Sequence, residues 1–318
     1  MLASKQKGLA MVIVIWVLSL LTIMAGSFAL TMRRETTVIS AVKDNAVVQA
    51  MAETGVNIAK QMLFLADESM RWRADGSIYL INYQDAKIRI RLLSELGKID
   101  INKADEELLT AMMKSTTAEV SKQQEIVSAI LDWRDEDELI HINGAEKEQY
   151  EEAELSYSPA NKDFQLIEEL QMVLGMNNDL YQQLKPLITV YSKQTQVDLN
   201  VASKEVITAI GNLDPEILDE YIQQRTESNA NNFPAPAFPL TEGGSNNQGA
   251  TNNQVYTIIS QAQLYDEFAT GIKATIRKSA TGADQPFQVL NWQIIDQKQS
   301  LFDDDMTQLL VTQDEPEN

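Results

Sequence analysis

Apolar residues dominate positions 9–32, a run of 24 residues without a charge. In a helix, at about 1.5 Å per residue, it reaches roughly 36 Å, against a hydrocarbon core of about 30 Å. The pattern then changes. Val38, Ile39, Val42, Ala46, Ala50, Gly55, Ile58, Ala59 and Met62 fall at steps of three and four, while Asp44, Glu53 and Lys60 take other faces. Together the two stretches predict one helix over about 9–65, apolar all round at its start and one-sided at its end. An anchor followed by a separate amphipathic helix is the other reading.

Further on, the period shortens to two. Ile88, Ile90 and Leu92 alternate with Lys87, Arg89 and Arg91, the mark of a half-buried strand. Residues 78–81 are strand-like as well. The next comparable pattern is at 272–277, with 255–259 and 287–294 beside it. The sheet is therefore split along the chain. Positions 97–225 between its halves read as helical. The stretch Ile99-Asp100-Ile101-Asn102-Lys103-Ala104 returns as Val197-Asp198-Leu199-Asn200-Val201-Ala202, and each precedes a helix with polar capping residues. A third helical unit is expected at 164–174. Residues 226–254 are rich in Pro, Gly and Asn and read as a flexible linker or loop. Residues 296–318 form an acidic tail, of which 302–318, with six acids and no base, read as mostly disordered.

Composition narrows the chemistry. Lys and Arg total 26 against 46 Asp and Glu, a formal charge of −20. Residues 1–34 hold Lys5, Lys7, Arg33 and Arg34 and no acid, so the whole excess of acid lies beyond them. A body this acidic repels phosphate backbones, and no nucleic-acid partner is expected. There is no Cys, which excludes disulfides and thiolate sites, and the one His, His141, cannot build a multi-histidine zinc site.

Lys5-Gln6-Lys7-Gly8 followed by Leu9-Ala10-Met11-Val12-Ile13 resembles the leader of prepilins and pseudopilins. The resemblance implies cleavage by a prepilin peptidase between Gly8 and Leu9 and N-methylation of Leu9. A plain signal anchor and a cleaved secretory signal near Ala25-Gly26-Ser27 are the competing readings. Most pilins carry Glu at the fifth mature position, where this chain has Ile13. In the filament core that carboxylate faces the amine of a neighbouring subunit, and a buried carboxylate without such a partner is costly. An apolar residue there suits a subunit with no neighbour above it.

Residues 132–154 crowd ten carboxylates against Arg134 and Lys147. Hard oxygen donors at this density are what Ca²⁺ uses. Asp132, Asp135 and Glu136 share a face if the helix runs that far, and Asp137 and Glu146 are placed to close a loop over them. A solvated acidic loop is the bland alternative, and the spacing is not that of an EF-hand. Ile130-Leu131-Asp132-Trp133, Asp135, Asp137, Asn143-Gly144-Ala145-Glu146 and Tyr150 resemble the type II secretion system minor pseudopilin K family. Ser158-Pro159-Ala160-Asn161, Gly175-Met176, Tyr181 and Leu187-Ile188-Thr189-Val190 continue the likeness.

This resemblance implies an α+β, type IV pilin-like fold: a long hydrophobic N-terminal helix and an antiparallel sheet, interrupted by a large all-α insertion of helix-hairpin-helix or SAM-like units. The expected divisions are leader 1–8, hydrophobic helix 9–32, rest of the pilin helix 33–70, first sheet part 71–96, helical domain 97–225, linker 226–254, second sheet part 255–295 and tail 296–318. The resemblance also implies Ca²⁺ at Asp132, Asp135, Asp137 and Glu146, and minor pseudopilins I and J as partners. It places the chain once through the inner membrane, with its body in the periplasm and its final position at the pseudopilus tip. No enzymatic activity is expected. A membrane-anchored DNA-uptake receptor shares the helical units but lacks their Gly-x-Gly, and a metal-dependent periplasmic hydrolase needs an acid–base pocket that the sequence does not show.

Overall fold

The computed structural model describes residues 7–83, 86–211, 213–239, 254–265, 268–279, 285–295 and 300–311. Helix α1 (Lys7–Leu63) is continuous, as the two joined patterns predict. Gly8 and Leu9 lie in its first turn, while leader residues 1–6 fall outside the described part. Every side chain from 10 to 40 is exposed, Ile13 included, and this part is long and apolar enough to cross a membrane. The buried seam begins only at Val48 and continues through Ala52, Gly55, Val56, Ala59 and Leu63. The stripe read from sequence differs in phase: Val38, Val42, Ala46 and Ala50 are exposed. Alanines occupy two faces of this helix, so spacing alone did not select the one that meets the sheet.

The seam packs on a six-stranded sheet of order β7-β6-β5-β2-β1-β8. Its strands are β1 (Asp75–Tyr83), β2 (Ala86–Ser94), β5 (Val255–Leu264), β6 (Phe268–Lys278), β7 (Phe287–Ile295) and β8 (Leu310–Val311). Strand β2 pairs directly with β5, Ile90 opposite Ser260, although residues 95–254 separate them. Ile88, Ile90 and Leu92 face α1, as their alternation requires. Gly55 makes the closest approach: a Cβ there would overlap Ser260 Oγ and lie 2.9 Å from Ile88 Cγ2. Gly55→Leu is expected to cost about 1–3 kcal/mol as overpacking, read as a lower urea midpoint.

Two expectations are corrected here. The sheet is mixed rather than antiparallel, because β8 pairs parallel to β1, Ile78 with Leu310. The tail is not disordered through 300–311: it forms a 3-10 helix (Asp304–Leu309) and β8, burying Leu301, Leu309 and Val311. Three apolar side chains outweigh the acids around them. Residues 312–318, and 240–253 of the expected linker, lie outside the described residues. The start of that expected linker is helical, and Phe238 is buried edge-on against Tyr221.

The inserted domain contains α2 (Glu106–Lys114), α3 (Val120–Arg134), α4 (Lys147–Glu152), α5 (Asn178–Leu184), α6 (Lys204–Ile210) and α7 (Pro215–Ala230). It also holds a short parallel pair not read from sequence, β3 (Ile99–Asp100) with β4 (Ile188–Thr189). The unit expected at 164–174 is a short 3-10 helix, Ile167–Met172. The internal repeat folds alike twice. Asp100 Oδ1 accepts the Asn102 N–H at 2.9 Å and Asp198 Oδ1 the Asn200 N–H at 3.1 Å. Asp105 then caps α2 and Ser203 caps α6.

Where the chain leaves the sheet, Glu95 and Lys98 form a buried ion pair at 2.6 Å. Burial alone would raise the Glu95 carboxyl. Lys98 and the hydroxyls of Thr189 and Thr257 outweigh it and hold the group below the ordinary glutamate range.

Candidate metal centre

Helix α3 runs under the core of the inserted domain. Trp133, 2% exposed, stacks on Phe164 at 5.9 Å between ring centres, and the buried Tyr150 accepts the Leu174 N–H at 2.9 Å. Both aromatics are core. One residue earlier on α3, Asp132 is fully buried. Its carboxylate is wrapped by the loop that returns from the helix end. Oδ2 accepts the Ala145 N–H at 2.6 Å, and Oδ1 accepts the His141 N–H at 3.1 Å as well as meeting the His141 ring at Nδ1.

The loop is pinned along its length. Asp137 Oδ1 accepts the Leu139 N–H at 2.8 Å, and Asn161 Nδ2 donates to the Asp137 carbonyl at 3.2 Å. Ser128 Oγ donates to the Ile142 carbonyl and the Gly144 N–H to the His141 carbonyl, each at 2.8 Å. Asn143 turns the chain in the left-handed region at φ 62°. Gly144 must be glycine, because a Cβ would overlap Asp132 Oδ2 and come within 2.9 Å of its Cγ.

Asp135 reaches the cluster differently from the helical face read in sequence. Helix α3 stops at Arg134, whose Nη2 donates to the Ala104 carbonyl at 2.6 Å. Asp135 follows in extended backbone and aims Oδ2 at His141 Nδ1, 3.8 Å away. Glu136 falls outside the helix and is exposed. The candidate ligand atoms of Asp132, Asp135 and His141 lie within 4.8 Å of one another. Asp137 and Glu146 are not in that tight group, yet both act on it electrostatically.

Three oxygens here lack what buried oxygens need. Asp135 Oδ1, Glu146 Oε1 and Asn161 Oδ1 are shielded from solvent and have no hydrogen-bond partner among the described residues. Burial, then the charges of Asp132 and Asp135, push the Glu146 carboxyl up to about 7. Burial, then Asp137 and Asp132, raise Asp135, against the opposing pull of His141 and Arg134. Crowded carboxylates with orphaned oxygens fit a divalent, oxygen-seeking cation. Such an ion would be held by Asp132, Asp135, Asp137 and Glu146, with Asn161 as a further oxygen. Asn161 and His141 escaped the sequence reading. The only signal for His141 was its place nine residues after Asp132, inside the acidic run.

The comparisons with known proteins agree with this architecture. Residues 86–193 match the family model for the first domain of type II secretion system protein K. Protein K of Klebsiella pneumoniae is 22% identical over 233 residues, 66% of this chain and 71% of that protein. Protein K of Pseudomonas aeruginosa is 24% identical over 196 residues, 57% of this chain and 58% of that protein. The Pectobacterium carotovorum protein K is 34% identical over 77 residues, 24% of either chain. A chain of the GspK–GspI–GspJ complex crystallised from enterotoxigenic Escherichia coli superposes with a TM-score of 0.50 at 16% identity, over 83% of this chain and 99% of that one, a likeness of fold. The chain thus shares its fold with that protein, and its residues 86–193 match the first domain of type II secretion system protein K, the family it most resembles in these comparisons.

Proposed function

We propose that this chain is the tip subunit of a type II secretion pseudopilus, where it helps to start and cap assembly with minor pseudopilins I and J. It performs no chemistry of its own. The observation that carries this reading is the division of α1. Its first part presents apolar side chains on every face to the surroundings, and its second part is fixed to the sheet from Val48 onward. One rigid rod therefore joins a membrane-soluble segment to a folded body. Before assembly that segment crosses the inner membrane once, with the body in the periplasm. Afterwards it lies in the filament core. Ile13 leaves no carboxylate at the fifth mature position, which suits a subunit at the end of the stack. The inserted domain adds bulk that opposes stacking above it. In this reading a prepilin peptidase cuts between Gly8 and Leu9 and methylates Leu9. Ca²⁺ at the acidic cluster stabilises the inserted domain without catalysing a reaction.

The test compares the mass of the chain from hosts with and without the peptidase, then its recovery with tagged pseudopilins I and J. The expected result is a mature chain starting at methylated Leu9, seen only with the peptidase, and a complex retained on purification. Gly8→Val is expected to block both maturation and secretion. An intact leader in both hosts, or a cut near Ser27, overturns the reading.

A further inference from the structure

A second group of charges lies on the back of the sheet, away from the acidic loop. On β6, Ile272, Ala274 and Ile276 belong to the core shared with α1. Alternation turns Lys273 and Thr275 to the opposite face, under the inserted domain. Lys273 stands opposite Gln293 on β7, and Thr275 stands between Asn291 on β7 and Thr257 on β5. Between this polar patch and the inserted domain is a cavity of about 30 Å³. Its charged lining is Lys98, Lys185 and Lys273 against Glu95 and Glu168, which leaves one positive charge in excess.

The acids are not free to cancel that excess. Glu95 is taken by Lys98 at 2.6 Å and accepts the Thr257 hydroxyl at 2.7 Å. The ammonium groups of Lys185 and Lys273 form no ion pair or hydrogen bond among the described residues, and the Lys185 Nζ lies over the Tyr181 ring, 5.7 Å from its centre. Burial, then the charge of Lys98, push the Lys273 amine down to about 8 against the pull of Glu95 and Glu168. A lysine drawn out of water without a counter-ion is costly. Yet Asn291 and Gln293 offer amide donors on the cavity wall, where a third carboxylate would have balanced the charge. Ammonium and amide donors converging on a small cavity are the partners of an anion. The volume suits about one or two waters, or a single monatomic ion in their place, and excludes tetrahedral oxyanions. We propose that the cleft between strands β6 and β7 and the inserted domain binds a monatomic anion of the chloride class, held by Lys273 and Lys185 with Asn291 and Gln293, and that the ion pins the inserted domain to the sheet. The proposal depends neither on the acidic loop nor on the tip role.

The test follows the thermal midpoint of the full chain in detergent at neutral pH while chloride replaces gluconate at constant ionic strength. Ionic strength is held constant because any salt screens a chain of charge −20. Chloride in tenfold excess over its dissociation constant is expected to raise the midpoint by about 3 °C or more. Bromide is expected to act alike and sulfate is not. The gain is expected to fade as the pH rises past about 8, where Lys273 loses its proton. Lys273→Met removes the ammonium together with its desolvation cost, so it is expected to raise the midpoint in gluconate and to abolish the chloride gain. Lys185→Met is expected to weaken chloride by about tenfold. Crystals grown in bromide are expected to show an anomalous peak beside Lys273, a readout that needs no variant to fold. Equal gains from chloride and sulfate, a chloride gain that survives in Lys273→Met, or bromide crystals without that peak overturn the site.

Discussion

Arg225→Met is expected to lower the unfolding free energy by about 3–5 kcal/mol, the usual range for breaking a buried charge pair from one side. Arg225 is 2% exposed. It donates to the Ala202 carbonyl at 2.9 Å and the Asp75 carbonyl at 2.6 Å, and its Nε lies 3.7 Å from Asp75 Oδ2. One guanidinium on α7 thereby holds the repeat before α6 to the first strand of the sheet. Methionine fills a similar volume but takes the donor from two carbonyls and the counter-charge from an Asp75 carboxylate that is 2% exposed and keeps only the Ser77 N–H and Oγ on its Oδ1. Nearby, Arg91 makes a second bridge between the same two parts, from β2 to Glu205 at 2.8 and 3.0 Å. The Glu205 side chain is 39% exposed, so water screens the partner left behind, and Arg91→Met should cost about 1–2 kcal/mol. Urea unfolding of the two variants checks the pair. Equal losses would show that burial does not govern how the inserted domain is held to the sheet. Should the proposed tip role hold, Arg225→Met is also expected to lower recovery with the partner pseudopilins, because the bulk above the sheet is no longer fixed.

Local signals were legible and non-local ones were not. The apolar run of α1 could be read because no charge interrupts 24 residues. Strand β2 was legible because Lys87, Arg89 and Arg91 punctuate its buried side chains. The repeated caps were readable for the same reason: an Asp that binds the N–H two residues on is a contact within one turn of chain. Strands β3 and β4 could not be seen in this way. Each has two residues, and each depends on a partner some ninety positions away. The tail misled through averaging. Its acids dominate composition, while Leu301, Leu309 and Val311 find an uncovered sheet edge that only the folded protein provides. At the candidate metal site the carboxylates were visible because they crowd one stretch of sequence. What the sequence could not show was the stop of α3 at Arg134, which turns Asp135 and the following loop back over Asp132 and brings in His141 and Asn161.

Chelation is expected to lower the thermal midpoint of the inserted domain by about 5–10 °C relative to protein in calcium at a hundredfold excess over its dissociation constant. An ion bound only by the folded state at that excess contributes about 2.7 kcal/mol, and each kcal/mol moves the midpoint of a domain of this size by about 2–4 °C or somewhat more. The sign follows from the carboxylates. Without a cation, Asp132, Asp135 and Glu146 repel one another in a buried pocket, which is why burial and neighbouring acids raise both Asp135 and Glu146. Glu146→Gln removes one of these charges without changing the shape of the site. It is therefore expected to raise the midpoint of the chelated protein and, having lost a ligand, to blunt the response to calcium. Asp132→Asn differs, because its amide must present a donor to either the Ala145 or the His141 N–H. It is expected to lower the midpoint with and without calcium, by about 1–3 kcal/mol of lost stability. A wild-type midpoint indifferent to chelator and to added calcium sinks the cation reading. A Glu146→Gln variant that still responds fully would remove Glu146 from the ligand set while leaving the ion in place. The contrast between the two variants separates charge from architecture: Glu146 leaves Oε1 without a partner in the pocket, whereas both oxygens of Asp132 build the loop that closes over it.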